Sequence, residues 1–476
     1  MQDFLSFINE VLWGAVLVYL IPAAGIWFTV RCGFVQLRFL GLAVKSLKIN
    51  FRRSNQSITP FQALCTSLAA RVGSGNLAGV ALALTAGGPG ALFWMWFAAF
   101  IGMATTFAEC TLAQLYKTRD RKGLFRGGPA WYMAHGLGMR WMGVVFSIFL
   151  LIAFGLVFNT VQANSIAVAM SQAFSIPPLA TGAGIAICAF VVFTRGLSGI
   201  ARLAQWLVPI MALLWIGASL IVVAVNIDQL PDVLMQVVRS AFGWQQAASG
   251  ALGYTVSQAI ANGFQRGMFS NEAGMGSTPN AAAAATSEHP AAQGIIQMAG
   301  VMFDTFAICT ATAAIVLLAG TGSPGDHESG ILLLQHALNT LPGQWGSSFV
   351  AIVLLLFAFT SIAANYAYAE NNLIFLGLEK PLAIGVLRIA SVMTILTGSI
   401  ASLAVVWTLA DIIMAFMAIT NITAILLLSP VVRDITLDYI RQKKLGISPV
   451  FDPARFPDIA RQLAKDAWPA DQKPEQ

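Results

Sequence analysis

Eleven apolar runs, each long enough to cross the roughly 30 Å hydrocarbon layer of a bilayer, succeed one another along these 476 residues. They lie near 12–31, 61–86, 90–116, 142–174, 178–194, 200–226, 250–285, 291–320, 346–376, 384–408 and 409–432. The last two have almost no loop between them. In hydrocarbon no water is at hand for backbone N–H and C=O groups, so each run has to satisfy them within itself, as an α-helix does. The expectation is an all-α integral membrane protein of eleven transmembrane helices with the lipid bilayer as its main solvent. Composition agrees, with 57% hydrophobic residues against 10% charged, far from the soluble balance. The first run follows Asp3 and Glu10 without a basic stretch and ends at Arg31, the pattern of a spanning helix rather than a cleaved signal.

Charge sets the orientation. The first loop carries Arg31, Arg38, Lys45, Lys48, Arg52 and Arg53 with no acidic residue, and the third run is followed by Lys117, Arg119, Arg121, Lys122, Arg126 and Arg140 against Asp120 alone. Positive charge stays on the cytoplasmic side. Alternation then puts Arg195, Arg202, the 380–388 turn and the 441–444 tail inside, and Asp228, Asp232, Asp326 and Glu328 outside. This reads as a bacterial inner-membrane protein with its N-terminus outside and its C-terminus in the cytoplasm. The net charge of +6 is thereby spent on cytoplasmic loops, and nothing marks a nucleic acid or an obligate protein partner. Cys32, Cys65, Cys110, Cys188 and Cys309 fall mostly within apolar segments and are expected to be reduced and buried. His135, His289, His327 and His336 lie outside the long apolar cores or near their ends, which excludes a His-ligated haem or metal inside the membrane. No HExxH, no GxSxG and no His-plus-carboxylate grouping in the spans points to an enzyme.

Two runs are interrupted. The second contains Arg71-Val72-Gly73-Ser74-Gly75-Asn76, and the seventh is broken over 267–277, Gly-Met-Phe-Ser-Asn-Glu-Ala-Gly-Met-Gly-Ser. Glycine costs about 1 kcal/mol per helical position relative to alanine, and freed backbone groups cost several kcal/mol each in hydrocarbon unless a cavity or neighbour satisfies them. Such breaks need a use. They lie five spans apart, each opening a block of five, as in a five-plus-five inverted repeat preceded by one extra N-terminal helix. The divisions expected are an N-terminal helix and basic loop over 1–60, a first repeat over 61–226, a second over 227–432 and a tail over 433–476.

At a break, the N-terminus of one half-helix offers N–H groups to an anion, and the C-terminus of the other offers carbonyls to a cation. A zwitterionic amino acid and a sodium ion need both side by side. Asn76 is either an interhelical hydrogen-bonding group or an oxygen donor to a hard cation. Thr360 and Ser361 are either back-bonded hydroxyls or ligands. Asn159 and Gln162, three apart on one helix face, bond a substrate or each other. Asp304 is open to three roles: sodium ligand, proton carrier, or one half of a structural pair with Arg266 or Arg71. Intramembrane carboxylates are expensive and usually functional, and Glu109, Glu272 and Glu370 lie nearer ends or breaks.

These residues resemble the alanine-or-glycine:cation symporter family, the sodium:alanine symporters. The resemblance rests on Gly-Gly-Pro-Gly-Ala-Leu-Phe-Trp-Met-Trp at 87–96, Gly-Asn-Leu-Ala-Gly-Val at 75–80 and Phe-Ser-Asn-Glu-Ala-Gly-Met-Gly-Ser at 269–277. Gln-Ala-Asn at 162–164 and Asp-Thr-Phe-Ala-Ile-Cys-Thr at 304–310 extend it over nearly the whole membrane region. It implies no enzyme but sodium-coupled symport of alanine, glycine and similar small neutral amino acids, with D-alanine and serine open and proton coupling the alternative. The family is similar in architecture to the leucine-transporter fold, which implies alternating access. That likeness implies a sodium site made by the carbonyls of Ala69 and Val72 with the hydroxyls of Thr360 and Ser361; Asp304, from its place in an apolar span, is the next candidate. The likeness also implies an amino-acid site at Gly73, Gly75, Asn76, Gln162, Phe269, Asn271, Gly274, Met275, Ser361 and Asn365. Where many members carry Ser-Thr and a tryptophan four residues on, this chain has Thr360-Ser361 and Asn365, so a large ring bounding the pocket is replaced by an amide.

Overall fold

The computed structural model describes residues 2–39, 41, 58–243, 252–320, 330–340, 345–464 and 466–468. Lys45, Lys48, Arg52, Arg53, Asp326, His327 and Glu328, used above for orientation and metal exclusion, lie outside the described residues.

The apolar runs fold as helices, in chain order α1 (Phe4–Arg31), α2 (Pro60–Arg71), α3 (Gly75–Gly87), α4 (Gly90–Leu115) and α5 (Arg140–Phe174). They continue as α6 (Pro178–Phe193), α7 (Gly196–Val225), α8 (Leu230–Ala241), α9 (Leu252–Asn271), α10 (Thr278–Ala284) and α11 (Pro290–Leu318). The last are α12 (Ile331–Asn339), α13 (Gly346–Phe375), α14 (Pro381–Ser399), α15 (Leu403–Leu427) and α16 (Ser429–Lys444). Among the described residues, eight helices are long and apolar enough to cross a membrane, and α2 with α3, bent by 54°, makes a ninth if the pair is one span. α6 is apolar but shorter, and α9 with α10 is rich in Gly, Asn and Gln.

Thr59 opens α2 with a capping box: its hydroxyl accepts from Gln62 N and the Gln62 side chain accepts from Thr59 N. The helix stops at Val72, which leaves the helical region at φ −79°, ψ 82°. α4 lies against α9 and α11, α13 packs on α2 and α5, and the two broken helices touch directly where α3 packs on α9.

Three features depart from the expectation. The boundary expected at 408–409 falls instead at 400–402, between α14 and α15. Asn164 of α5 donates its amide to the freed carbonyls of Gly398 (3.1 Å) and Ala401 (2.8 Å), so a distant residue satisfies the break. α8 lies outside the expected spans; it has exposed Leu234 and Met235 and receives the Trp94 indole at Ala241 O, 3.2 Å. The described part of the tail, on whose packing no expectation was made, is docked on the bundle. Trp468 donates to Leu115 O at 3.0 Å, Tyr116 Oη donates to Gln462 Oε1 at 2.8 Å, and Phe451 N donates to Glu288 O at 2.9 Å. The Lys117 ammonium sits 4.1 Å from the Phe125 ring and 4.4 Å from that of Trp468. Burial, with Arg119 nearby, pushes its pKa down to about 7. Four cysteines are buried as expected, but Cys188 is exposed on the outer face of α6.

Candidate substrate and ion site

At the first break the freed carbonyls of α2 meet α13. Ser361 Oγ donates to Ala69 O at 2.8 Å and lies 3.1 Å from Phe357 O and 3.5 Å from Val72 O. Thr360 Oγ1 donates to Phe357 O at 2.8 Å and to Met211 Sδ at 3.6 Å, so it reaches this group only through the Phe357 carbonyl. The Phe357 carbonyl was not a sequence candidate, because the sequence does not mark a backbone oxygen in unbroken helix. Gly73 is required by close approach: a Cβ there would fall on Ser361 Oγ and within 3.0 Å of the Gln162 amide. Gln162 Oε1 accepts from Ser74 N at 2.9 Å, and Asn76 Oδ1 accepts from Gly73 N at 3.3 Å. The N–H groups that the break frees are thus met by amides. Gln162 and Asn159 share a face without bonding each other; Asn159 instead accepts from Asn365 Nδ2 at 3.1 Å.

Asp304 ties the two broken helices together. It accepts from Asn76 Nδ2 at 2.7 Å and from Ser270 Oγ at 2.8 Å, with Thr305 Oγ1 at 3.3 Å. It stands where α11 widens to a π-type turn over Phe303–Cys309, a distortion often found at functional positions. The ion pair left open for it does not form. Arg266 pairs with Asp411, and Arg71 donates to Thr278 Oγ1 (2.7 and 3.1 Å) and Gln297 O (3.4 Å). Asp304 therefore has only neutral groups as hydrogen-bond partners.

The second break turns through Glu272 (φ 55°), Gly274 (φ 82°) and Gly276 (φ 85°). Left-handed backbone favours glycine at the latter two and strains Glu272. Asn271 donates to Thr305 Oγ1 at 3.1 Å and accepts from Ala273 N at 3.0 Å. Gly274 belongs to a different group from Gly73 and Ser361: its N–H donates to Glu109 Oε1 (3.4 Å) and its carbonyl accepts from Asn421 (2.9 Å). Met275, fully buried, follows it there. Asn421 also donates to Glu109 Oε2 at 2.7 Å and accepts from the Tyr132 hydroxyl.

Phe269 forms one wall. Its ring lies 5.2 Å from Phe158 and 4.7 Å from Trp407, and it covers Gly75, where a Cβ would come within 2.9 Å of it. Beyond Trp407, the Arg266 guanidinium stands 4.8 Å over the indole and pairs with Asp411. Trp407, Asp411 and Asn421 are absent from the sequence candidates. A carboxylate at 411 inside an apolar run was signal enough for the second; the other two had none.

A bundle of long apolar helices, two of them interrupted, with carbonyls facing a hydroxyl and N–H groups facing amides at the first break, has the make-up of a multi-pass membrane transporter. The model of the sodium:alanine symporter family matches residues 1–453, and the chain belongs to that family. It is 63% identical over 470 residues to YaaJ, an uncharacterized transporter of Escherichia coli K12, covering 98% of this chain and 99% of that one. It is 48% identical to GlnT of Bacillus subtilis, described as a probable sodium/glutamine symporter, over 98% of this chain and 96% of that one. It is 40% identical to the sodium/alanine symporter AgcS of Methanococcus maripaludis over 90% and 96%. The crystal structure of MhsT in complex with L-phenylalanine superposes with a TM-score of 0.54 at 13% identity, covering 81% of this chain and 99% of that one. At that identity the likeness is one of fold.

Proposed function

We propose that this chain is a sodium-coupled symporter of small neutral amino acids, alanine and glycine foremost, working by alternating access. It acts in the bacterial inner membrane, with its N-terminus outside and its C-terminus in the cytoplasm. In this reading eleven helices form one extra helix plus a five-plus-five inverted repeat divided as above, with α6 and the α9–α10 pair completing the count. The observation that carries it is the gathering of Ser361 Oγ with the carbonyls of Ala69 and Phe357, and Val72 O just beyond. An all-oxygen group suits a hard cation, and sodium is a co-substrate here. The amino acid sits beside it, its carboxylate taking the place of the Asn76 and Gln162 amide oxygens at the N–H groups of Gly73 and Ser74, its body between Gln162, Asn76 and Phe269, with Asn271 behind.

One sodium entering down a tenfold gradient and a 100 mV potential supplies about 1.4 plus 2.3 kcal/mol, enough to concentrate a neutral zwitterion about 500-fold. Proton coupling is the second reading, favoured by the purely neutral hydrogen-bond partners of Asp304. Uptake of labelled alanine into proteoliposomes separates the two. A sodium gradient at equal pH drives it in the first reading, and a proton gradient without sodium drives it in the second. Failure of both would sink the proposal.

A further inference from the structure

We propose that Asn365, held by Asn159, is the side-chain subsite for a primary carboxamide, so that the amino acids bound include glutamine or asparagine. This rests on the placement of the amino acid at the first break, and adds a substrate class to it.

The orientation of both amides follows from their bonds rather than from a choice between oxygen and nitrogen. α5 widens to a π-type turn over Ala153–Val157. Asn159 Nδ2 donates to the carbonyls of Phe154 (3.0 Å) and Gly155 (3.2 Å). Both its protons are used, so its Oδ1 is turned toward α13. That oxygen needs a donor, and Asn365 supplies Nδ2 at 3.1 Å. Asn365 Oδ1 is consequently directed elsewhere, and it has no hydrogen-bond partner although the residue is 1% exposed. One of its two N–H bonds is also unused. A buried acceptor left unmade costs about 1–3 kcal/mol, a cost that a bound ligand removes.

The position fits a substrate side chain. Asn365 is four residues beyond Ser361 and so on the same face of α13, about 6 Å along the helix axis. Asn159 stands likewise three residues before Gln162 on α5. Ser361 and Gln162 hold the level of the break, where the amino and carboxylate groups belong. Asn365 and Asn159 hold the next level, at the reach of a side chain of one or two methylenes and an amide. Phe158, next to Asn159, packs on Phe269 and closes the side.

The chemistry selects among side chains. Asn365 presents a vacant acceptor and a vacant donor in one plane, the complement of a primary carboxamide. A carboxylate has acceptors alone and would set its charge against Oδ1. An aliphatic side chain long enough to reach this level leaves Oδ1 unsatisfied, and a site built to hydrogen-bond disfavours such analogues, whereas the methyl of alanine stops short of it. Serine can donate to Oδ1 but has no carbonyl for the free N–H.

The test is binding of alanine, glutamine, asparagine, glutamate and leucine to the purified full chain in sodium-containing nanodiscs, read by thermal stabilisation, with Asn365→Leu and Asn365→Ala beside the parent. The expected result is saturable binding of glutamine or asparagine within tenfold of alanine, with glutamate and leucine at least tenfold weaker than the amide. In either variant that folds, the ratio of amide to alanine affinity falls tenfold or more. Alanine binding with neither amide competing at hundredfold excess overturns this proposal and leaves the symporter reading standing. An unchanged ratio in the variants overturns the role of Asn365. Absence of any amino-acid binding overturns both readings.

Discussion

Removing the Ser361 hydroxyl tests the ion site most directly. Ser361→Ala deletes one oxygen of the group formed with Ala69 O, Phe357 O and Val72 O while changing the side chain by a single atom. Hydroxyl ligands are few here, so sodium affinity is expected to fall tenfold or more, about 1.4 kcal/mol. The lost hydrogen bond to Ala69 O costs the fold about 1 kcal/mol, too little to unfold the bundle. Thr360→Val is expected to do less, since the Thr360 hydroxyl touches this group only through Phe357 O and otherwise faces Met211. The assay is alanine binding to purified protein over a sodium titration. Coupling between two ligands is reciprocal at equilibrium, so binding without sodium stays near the parent value. The gain that sodium induces collapses at ordinary concentration and returns at very high sodium. A Ser361→Ala protein with unaltered sodium dependence, or a larger effect from Thr360→Val, refutes the reasoning and moves the ion to Asp304.

Hydropathy made much of the scaffold legible because it measures what a helix needs in lipid. The run at 90–116 is α4 and that at 346–376 is α13, each within a residue or two. It failed at 400–402, where the chain breaks without Gly or Pro and the freed carbonyls are capped by Asn164, 234 and 237 positions away. It gave no reading of α8, which at twelve residues is too short and too polar to register as a span. The breaks were visible because glycine clusters recur five spans apart, which small-residue helix packing alone does not explain, though the second begins only after Asn271 and not at 267. What lies opposite each break was not, since it depends on how helices cross. Thr360 and Ser361 are neighbours in sequence but about 100° apart around a helix, which is why one meets Ala69 and the other Met211. The same geometry carries Arg266 outward to Asp411 and leaves Asp304 to Asn76 and Ser270.

Three further outcomes are expected. Gly73→Ala places a methyl on Ser361 Oγ and the Gln162 amide, and should abolish sodium-driven uptake while leaving a monodisperse protein by gel filtration; normal uptake would remove Gly73 from the site. Asp411→Asn leaves the buried Arg266 guanidinium without its countercharge, and removing one partner of such a pair costs roughly 3–5 kcal/mol; a thermal midpoint within a degree of the parent would show the pair to be idle. The docked tail should loosen in acid, in two steps. Burial holds the His289 pKa below its ordinary 6.5 despite the Asp438 carboxylate, so undocking, which frees the ring, takes up a proton and is favoured as pH falls below 6.5. Asp438 has the opposite shift: burial raises it, but hydrogen bonds from His289 and Gln442 and the charges of His289 and Arg455 outweigh this and hold it below 3.8. Its contribution is therefore intact above pH 3.8 and is lost as pH falls through its folded value. Limited proteolysis of the 447–468 segment should accelerate between pH 7.5 and 5.5, and Asp438→Asn should remove the second, more acidic step but not the first. Cleavage that stays constant from pH 7.5 to 5.5 would mean that His289 does not hold the tail.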